Sequence, residues 1–229
     1  FNAGQICTNV DYLFLPADSE PAFTELALKL IAQRYPDINS NDYTAIIDDR
    51  AYQRLQAMLD DAIAKGATAV NLMPGQRAAP GSRKFALTLL FNVTDEMQVM
   101  QREIFGPLLP VKTYSDASEV IAYINSKPRP LAFYPFTHDK ALQQRYLAEV
   151  MSGGVTINHA ILHVGQHDLP FGGIGDSGMG HYHGYEGFIT FSKLRPVFKQ
   201  GAYNSVSMLL PPYGKLAEKM TDWLIKLKG

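Results

Sequence analysis

Cys7 is the single cysteine among 229 residues. With no second thiol for an intramolecular disulfide, it is either buried filler or chemistry. A free cysteine most often behaves as a small buried hydrophobe, so its neighbours decide. Asn2, Ala3, Gly4 and Gln5 are small or polar, and glycine lets the backbone take conformations that other residues resist. The stretch reads as a tight turn entering a helix. There a thiol faces solvent or ligand, and the helix N-terminus favours its nucleophilic thiolate form.

Three further segments carry chemistry-bearing residues. In Glu103-Ile104-Phe105-Gly106-Pro107 a carboxylate precedes an aromatic by two positions, and Gly-Pro follows. The turn is stiff and presents both side chains on one side. Glu accepts hydrogen bonds from a diol and Phe offers a flat apolar wall; taken alone, the same five residues read more readily as a solvated Glu and a core Phe before a strand. Gly153-Gly154-Val155-Thr156-Ile157-Asn158 reads as a buried strand ending in an amide. A buried Asn must find partners, and a site at the carboxyl ends of strands supplies them. Leu169 to Gly180 holds five glycines, which let two backbones pass closely, while Phe171, Ile174 and Met179 argue against a plain surface loop.

Five histidines, His159, His163, His167, His181 and His183, fall close together. Their i,i+4 pairs suggest zinc, but the segment lacks helical periodicity and a matching carboxylate. No metal is expected; most read as loop histidines with satisfied hydrogen bonds, some of them touching substrate. A Cys–His–Asn hydrolase is the rival catalytic reading from Cys7, these histidines and Asn158, and no cysteine-protease signature surrounds Cys7.

Asn-Ala-Gly-Gln-Ile-Cys followed by Asp-Tyr resembles the catalytic-cysteine segment of the aldehyde dehydrogenase superfamily. The other segments match in the family's order, and the chain resembles the C-terminal half of such an enzyme. The resemblance implies Cys7 as nucleophile, Glu103 on the nicotinamide-ribose hydroxyls and Phe105 beside the nicotinamide ring. It implies Asn158 behind the catalytic centre, with Asn2 and Phe171 also at the substrate or just behind it. His181-Tyr182-His183-Gly184, Gly187-Phe188 and Thr190-Phe191-Ser192 resemble the fatty, aromatic and coniferyl aldehyde branch, in which the Pro-Phe-Gly-Gly loop lines the substrate entrance.

The elements that must position these groups follow from periodicity. Strands are expected over Asp11 to Leu15, Thr68 to Leu72, Phe85 to Asn92, Leu108 to Tyr114, Leu131 to Thr137 and Gly154 to Asn158. Helices are expected from Glu20 to about Tyr35, capped by Asp18 or Ser19, and over Arg50 to Lys65, Ser115 to Ser126, Lys140 to Met151 and Tyr213 to Lys228, the last with Leu216, Met220, Trp223, Leu224 and Leu227 on its apolar side. This alternation implies an α/β fold, a mainly parallel sheet flanked by helices. Gly187 to Phe198 reads as one extended strand with apolar residues on both faces, which the resemblance assigns to a sheet shared between subunits. The expected organisation is a thiol-bearing domain over residues 1–186, an oligomerisation strand over 187–199 and a tail with an amphipathic helix over 200–229. No Gly-rich dinucleotide turn follows an early strand. The resemblance places the cofactor domain before the cysteine.

Composition sets outer bounds. At 46% hydrophobic and 19% charged, the chain has ordinary globular composition. Its net charge of -1 offers no basic surface for nucleic acid. No apolar run reaches the roughly 18 residues of a membrane span. One cysteine suits a reducing compartment, so a cytoplasmic location is expected. The sequence opens at Phe1, inside the first motif. Phe1 is expected to be a boundary or cleavage point, with any targeting signal upstream.

The resemblance therefore implies an NAD- or NADP-dependent oxidation of a small aldehyde, aromatic or fatty, to a carboxylic acid through a cysteine thiohemiacetal and thioester, in a homodimer. The oxyanion Asn and general-base Glu would lie upstream, so the chain by itself is expected to be inactive. Two alternatives stand beside this: a non-catalytic oligomerisation module of the same fold, and an acylating dehydrogenase that passes the thioester to coenzyme A.

Overall fold

The computed structural model describes residues 1–204 and 210–228. Part of the expected 200–229 tail, residues 205–209 and 229, lies outside them. The chain divides into two units, Phe1–Phe191 and Ser192–Gly229.

The first unit is built on a four-stranded sheet. Its strands are β1 (Leu13–Pro16), β2 (Thr68–Asn71), β3 (Thr88–Phe91) and β4 (Leu108–Tyr114), in the order β1-β4-β3-β2. β4 pairs parallel with β1 and β3, and β2 pairs antiparallel with β3. The expected mainly parallel sheet is present.

Alternation along β3 distributes the helices. Leu90 points into one core with Leu55 and Met58 of α2 (Asp49–Ala64). Its neighbours Leu89 and Phe91 belong to the opposite core, where Phe23, Ala27 and Ile31 of α1 (Glu20–Arg34) pack. Successive strand residues face opposite sides, so α1 and α2 cover the two faces of one sheet. After the one-turn helix α3 (Gln98–Gln101), which the sequence reading missed, come α4 (Ala117–Asn125) and α5 (Lys140–Glu149). Val120, Ile121 and Ile124 of α4 meet Tyr146 and Val150 in a third cluster, with Phe14 of β1 against it.

Aspartates start three of these helices. Asp48 accepts from the Ala51 N–H, Asp116 from Ser118, and Asp139 from Ala141 and Leu142. Each pairs N–H groups that the first helical turn leaves without partners.

Three expectations change. The strands read over Leu131 to Thr137 and Gly154 to Asn158 shrink to two-residue β5 (Ala132–Phe133) and β6 (Gly154–Val155), which pair parallel. Ser19 caps α1 by position only, since its hydroxyl donates to the Pro16 carbonyl at 2.6 Å. The largest correction is the strand expected over Gly187 to Phe198. Gly184–Thr190 is helix α6, and residues 193–200 form no strand or helix. Aromatic and β-branched side chains favour a strand, yet a strand needs a neighbouring ladder, and none among the described residues pairs with this segment. A local helix satisfies its backbone instead: the Gly187 N–H donates to the His183 carbonyl at 2.8 Å and the Phe191 N–H to Gly187 at 3.2 Å.

In the second unit the described residues form one helix, α7 (Lys215–Lys228). Of Leu216, Met220, Trp223, Leu224 and Leu227, expected on its apolar side, all but the half-buried Met220 are exposed.

Candidate active site

Cys7 is exposed. The helix expected to follow it is absent. A short 3-10 helix over Asn2–Gly4 precedes the thiol, Cys7 and Thr8 form a turn, and the chain then runs into β1. The turn is closed by the Asn9 N–H donating to the Ile6 carbonyl at 2.9 Å. Among the described residues no acceptor pairs with the Cys7 backbone N–H. Gln5, nearly buried, fastens the turn to the next loop. Its Nε2 donates to the carbonyls of Ala45 (3.0 Å) and Asn2 (3.1 Å), and its Oε1 accepts the Ile47 N–H at 2.9 Å.

The parallel pairing of β1 and β4 explains why two distant motifs meet. The Cys7 turn leads into β1, and Glu103 to Pro107 leads into β4. Both therefore lie at the amino edge of the sheet. They touch at their glycines. Gly4 has φ +76°, and a Cβ there would collide with the Gly106 carbonyl; a Cβ on Gly106 would collide with Leu55.

Glu103 and Phe105 are both exposed, and Ile104 between them is fully buried. The turn thus presents the carboxylate and the ring outward while Ile104 anchors it. Phe105 has φ 47°, a conformation that costs a bulky residue strain and persists only where the surroundings over-determine it. Two residues that the sequence reading left without roles supply that. Asp11 Oδ1 accepts the Ile104 N–H at 2.9 Å, and Arg54 donates to the Ile104 carbonyl at 2.7 Å and, more weakly, to that of Glu103 at 3.4 Å. The signal for Asp11 was its place in the Asp-Tyr pair that follows the Cys7 motif, and nothing in the sequence singles out Arg54 within its helix.

Burial pushes the Asp11 carboxyl up to about 6, and nearby Glu103 adds to the rise; the Ile104 N–H and Arg54 act against it. Folded Asp11 keeps its proton to higher pH than the unfolded chain does. Its contribution is therefore most favourable below about pH 4 and is lost as pH rises through 6. The loss amounts to at most about 3 kcal/mol. An Asp11→Asn substitution removes this dependence. In the full-length protein the melting temperature of Asp11→Asn, relative to the parent, should rise between pH 4.5 and 7.5. A constant difference across that range would mean the buried charge is not felt.

The remaining candidates stand at different removes from Cys7. Tyr134, just after β5, donates its hydroxyl to the Thr8 carbonyl at 2.8 Å and so ties the second sheet to the thiol turn. Burial holds that hydroxyl above its usual range, and Cys7 acts in the same direction. The Tyr134 ring lies 6.0 Å from that of His163, which lies 6.1 Å from Phe171. Phe171 is buried and exchanges backbone hydrogen bonds with Tyr182 at 2.7 and 2.9 Å. The glycines around it allow close passage, as expected: a Cβ on Gly172 would meet the Gly180 carbonyl. Asn2 is exposed at φ 47° and donates to the Gln5 carbonyl at 3.0 Å, so it shapes the turn itself.

Asn158 departs from expectation. It is exposed, not buried, at φ 57°. Its Oδ1 accepts the Thr137 N–H at 2.8 Å, which joins the ends of β5 and β6 without reaching Cys7. Among the histidines, His163 is buried with Nδ1 2.8 Å from the Thr156 hydroxyl, and burial lowers its pKa. His181 pairs with Glu186 at 3.2 Å. Among the described residues no group of three or more His, Cys, Asp or Glu could hold a metal ion. An apolar groove of about 400 Å³ lies behind the Asn2–Gly4 turn, lined by Phe1, Ala3, Gly4, Phe23 and Leu30 among others. Neither Cys7 nor Glu103 lines it.

An exposed thiol on a Gly-supported turn, against a loop that presents a carboxylate and an aromatic ring, is the arrangement that the resemblance implied. The sequence pattern of the aldehyde dehydrogenase family matches residues 1–197. The chain belongs to the aldehyde dehydrogenase family. A probable coniferyl aldehyde dehydrogenase of Pseudomonas aeruginosa is 50% identical over 96% of this chain and 45% of its own length. A coniferyl aldehyde dehydrogenase of Pseudomonas sp. strain HR199 is 46% identical over 98% of this chain and 48% of its own. Among solved structures, a substrate-bound AldH of Staphylococcus aureus superposes with a TM-score of 0.78 at 33% identity, covering 97% of this chain and 48% of that one. This aldehyde dehydrogenase chain spans about half the length of the curated relatives it matches. Among its described residues no helix is long and apolar enough to cross a membrane.

Proposed function

We propose that the chain is the catalytic-domain portion of an NAD- or NADP-dependent aldehyde dehydrogenase. The substrate class is a small aldehyde, aromatic such as coniferyl aldehyde, or fatty. The observation that carries this reading is the exposed Cys7 thiol on a turn whose own backbone N–H lacks an acceptor among the described residues.

The Cys7 thiolate attacks the aldehyde carbon, a C–S bond forms, and the carbonyl electrons move to oxygen. The Cys7 N–H is free to stabilise that oxyanion, together with an amide that the resemblance places upstream. A bound nicotinamide supplies the acceptor for the hydride. Once the hydride has left, a thioester remains on Cys7, and water cleaves it to release the carboxylic acid and return the thiol. The base that activates this water is also upstream by resemblance. The residues present suit the cofactor. The exposed Glu103 carboxylate can accept from two ribose hydroxyls, and Phe105 offers a ring-sized wall held clear of the core by the buried Ile104.

Assembly as a homodimer and a cytoplasmic location complete the reading. Exposed Phe191, Leu194, Val197 and Phe198 support a subunit contact in the segment that the resemblance assigns to assembly. The single thiol suits a reducing compartment.

The test is aldehyde-dependent reduction of NAD or NADP by the full-length enzyme, with Glu103→Gln beside it. Glu103→Gln should weaken cofactor placement by about 1.5–3 kcal/mol, roughly ten- to hundredfold in cofactor KM, and leave aldehyde KM nearly unchanged. Normal cofactor affinity and a normal hydride-transfer rate would reduce Glu103 to a surface charge.

A further inference from the structure

The Glu103–Phe105 loop is fixed from outside its own segment. Ile104 is the single residue between the two cofactor-facing side chains. Its side chain is in the core, its N–H is held by Asp11, and its carbonyl is held by Arg54. Every polar group of that residue is therefore claimed by a side chain from a different element. Asp11 sits on the same short segment as Cys7, between the thiol turn and β1. Arg54 comes from the middle of α2, where Leu55 also meets Gly106. A carboxylate is a costly choice for accepting one backbone N–H in a largely buried place, because burial penalises its charge. A role beyond filling the space is indicated.

We propose that Asp11 and Arg54 are positioning residues that clamp the Ile104 peptide units and so set the Glu103 carboxylate and the Phe105 ring at a fixed distance from the Cys7 thiol. The clamp works through the chain: Asp11 transmits the position of the thiol segment, and Arg54 that of α2. Phe105 is then held in its strained conformation through the backbone of Ile104. The inference rests on the assignment of Glu103 and Phe105 to the nicotinamide cofactor.

Its test uses the full-length enzyme with Glu103→Gln, Asp11→Ala, Asp11→Asn and the double variant Asp11→Ala/Glu103→Gln. Cofactor KM, aldehyde KM and the cofactor-free alkylation rate of Cys7 by iodoacetamide are measured. Asp11→Ala should raise cofactor KM at least about tenfold and leave the alkylation rate within about threefold of the parent. Asp11→Asn keeps an oxygen that accepts the Ile104 N–H and should recover most of the loss. The double variant should be no worse than about the poorer single variant, because a displaced carboxylate has little left to lose. Should Asp11→Ala fail to fold, Arg54→Gln carries the same test from the other side of the peptide, with the same split expected. If Glu103→Gln raises cofactor KM and neither Asp11→Ala nor Arg54→Gln does, the clamp is overturned while the cofactor reading stands. Multiplicative effects in the double variant, or alkylation that falls in step with cofactor binding, would also overturn it, since either indicates general damage. If Glu103→Gln itself changes nothing, the cofactor reading fails and the clamp falls with it.

Discussion

Replacing Cys7 by Ala in the full-length enzyme should lower kcat for aldehyde oxidation by at least about ten-thousandfold, the scale seen when a covalent nucleophile is removed. Cofactor affinity should stay within about twofold. The split follows from the geometry. The thiol is exposed on its turn, and the groups that hold that turn do not use it. Gln5 fastens the segment to residues 45–47 through its own amide, and Tyr134 holds the Thr8 carbonyl. The substitution therefore removes one sulfur and leaves the Glu103 loop in place. Stopped-flow hydride transfer and a cofactor titration measure the two halves separately. Turnover within a hundredfold of the parent would end the covalent mechanism, and with it the central role given to Cys7.

Gly4→Ala should damage activity less than Cys7→Ala does, but damage stability as well. Gly4 has φ +76°, where an L-residue is strained by about 1–2 kcal/mol. The added methyl also meets the Gly106 carbonyl, and a methyl has no rotamer by which to avoid it. The motifs can only move apart, which separates the thiol from the cofactor loop. We expect a total destabilisation of about 3 kcal/mol or more and a loss of at least about a hundredfold in kcat/KM, since small displacements of reacting groups carry effects of that size. Gly81→Ala is the matched control. Gly81 has φ +74° with nothing within 4 Å of an added Cβ, so its variant feels the backbone strain alone. Melting temperatures and kcat/KM of the two variants separate strain from collision. Equal behaviour would show that the contact between Gly4 and Gly106 is not what holds the site.

Much of the scaffold could be read from the chain directly. α2, α4 and α5 were legible from their periodicity, and the structure adds an aspartate cap at the start of each. β4 was legible over its full length as a run from Leu108 to Tyr114. The functional segments were legible through the resemblance: Asn-Ala-Gly-Gln-Ile-Cys and Glu-Ile-Phe-Gly-Pro match the family's motifs in its order, whereas each taken alone also reads as ordinary structure.

What failed were readings that needed a partner to be known. Gly187 to Phe198 has the composition of a strand, and composition states what side chains favour. A ladder also requires a second strand with free edge groups. Among the described residues no named strand pairs with this segment, and Gly184–Thr190 forms α6 through hydrogen bonds four residues apart. Asn158 failed similarly: the end of a short strand does not reveal whether the next residue is covered, and here it is exposed.

The sequence by itself determined most of the elements of the α/β scaffold and where the segments that resemble the family's motifs lie, around Cys7 and from Glu103 to Pro107. Only the tertiary structure decided that Gly4 lies on Gly106, that Asp11 reaches across 93 positions to the Ile104 N–H, and that Tyr134 holds the Thr8 carbonyl from 126 positions away. Local periodicity spans a helical turn or a strand pleat and carries no record of such distances. They arise because parallel β1 and β4 bring their leading loops to one edge of the sheet, where buried backbone groups must be paired by whatever side chain the fold delivers.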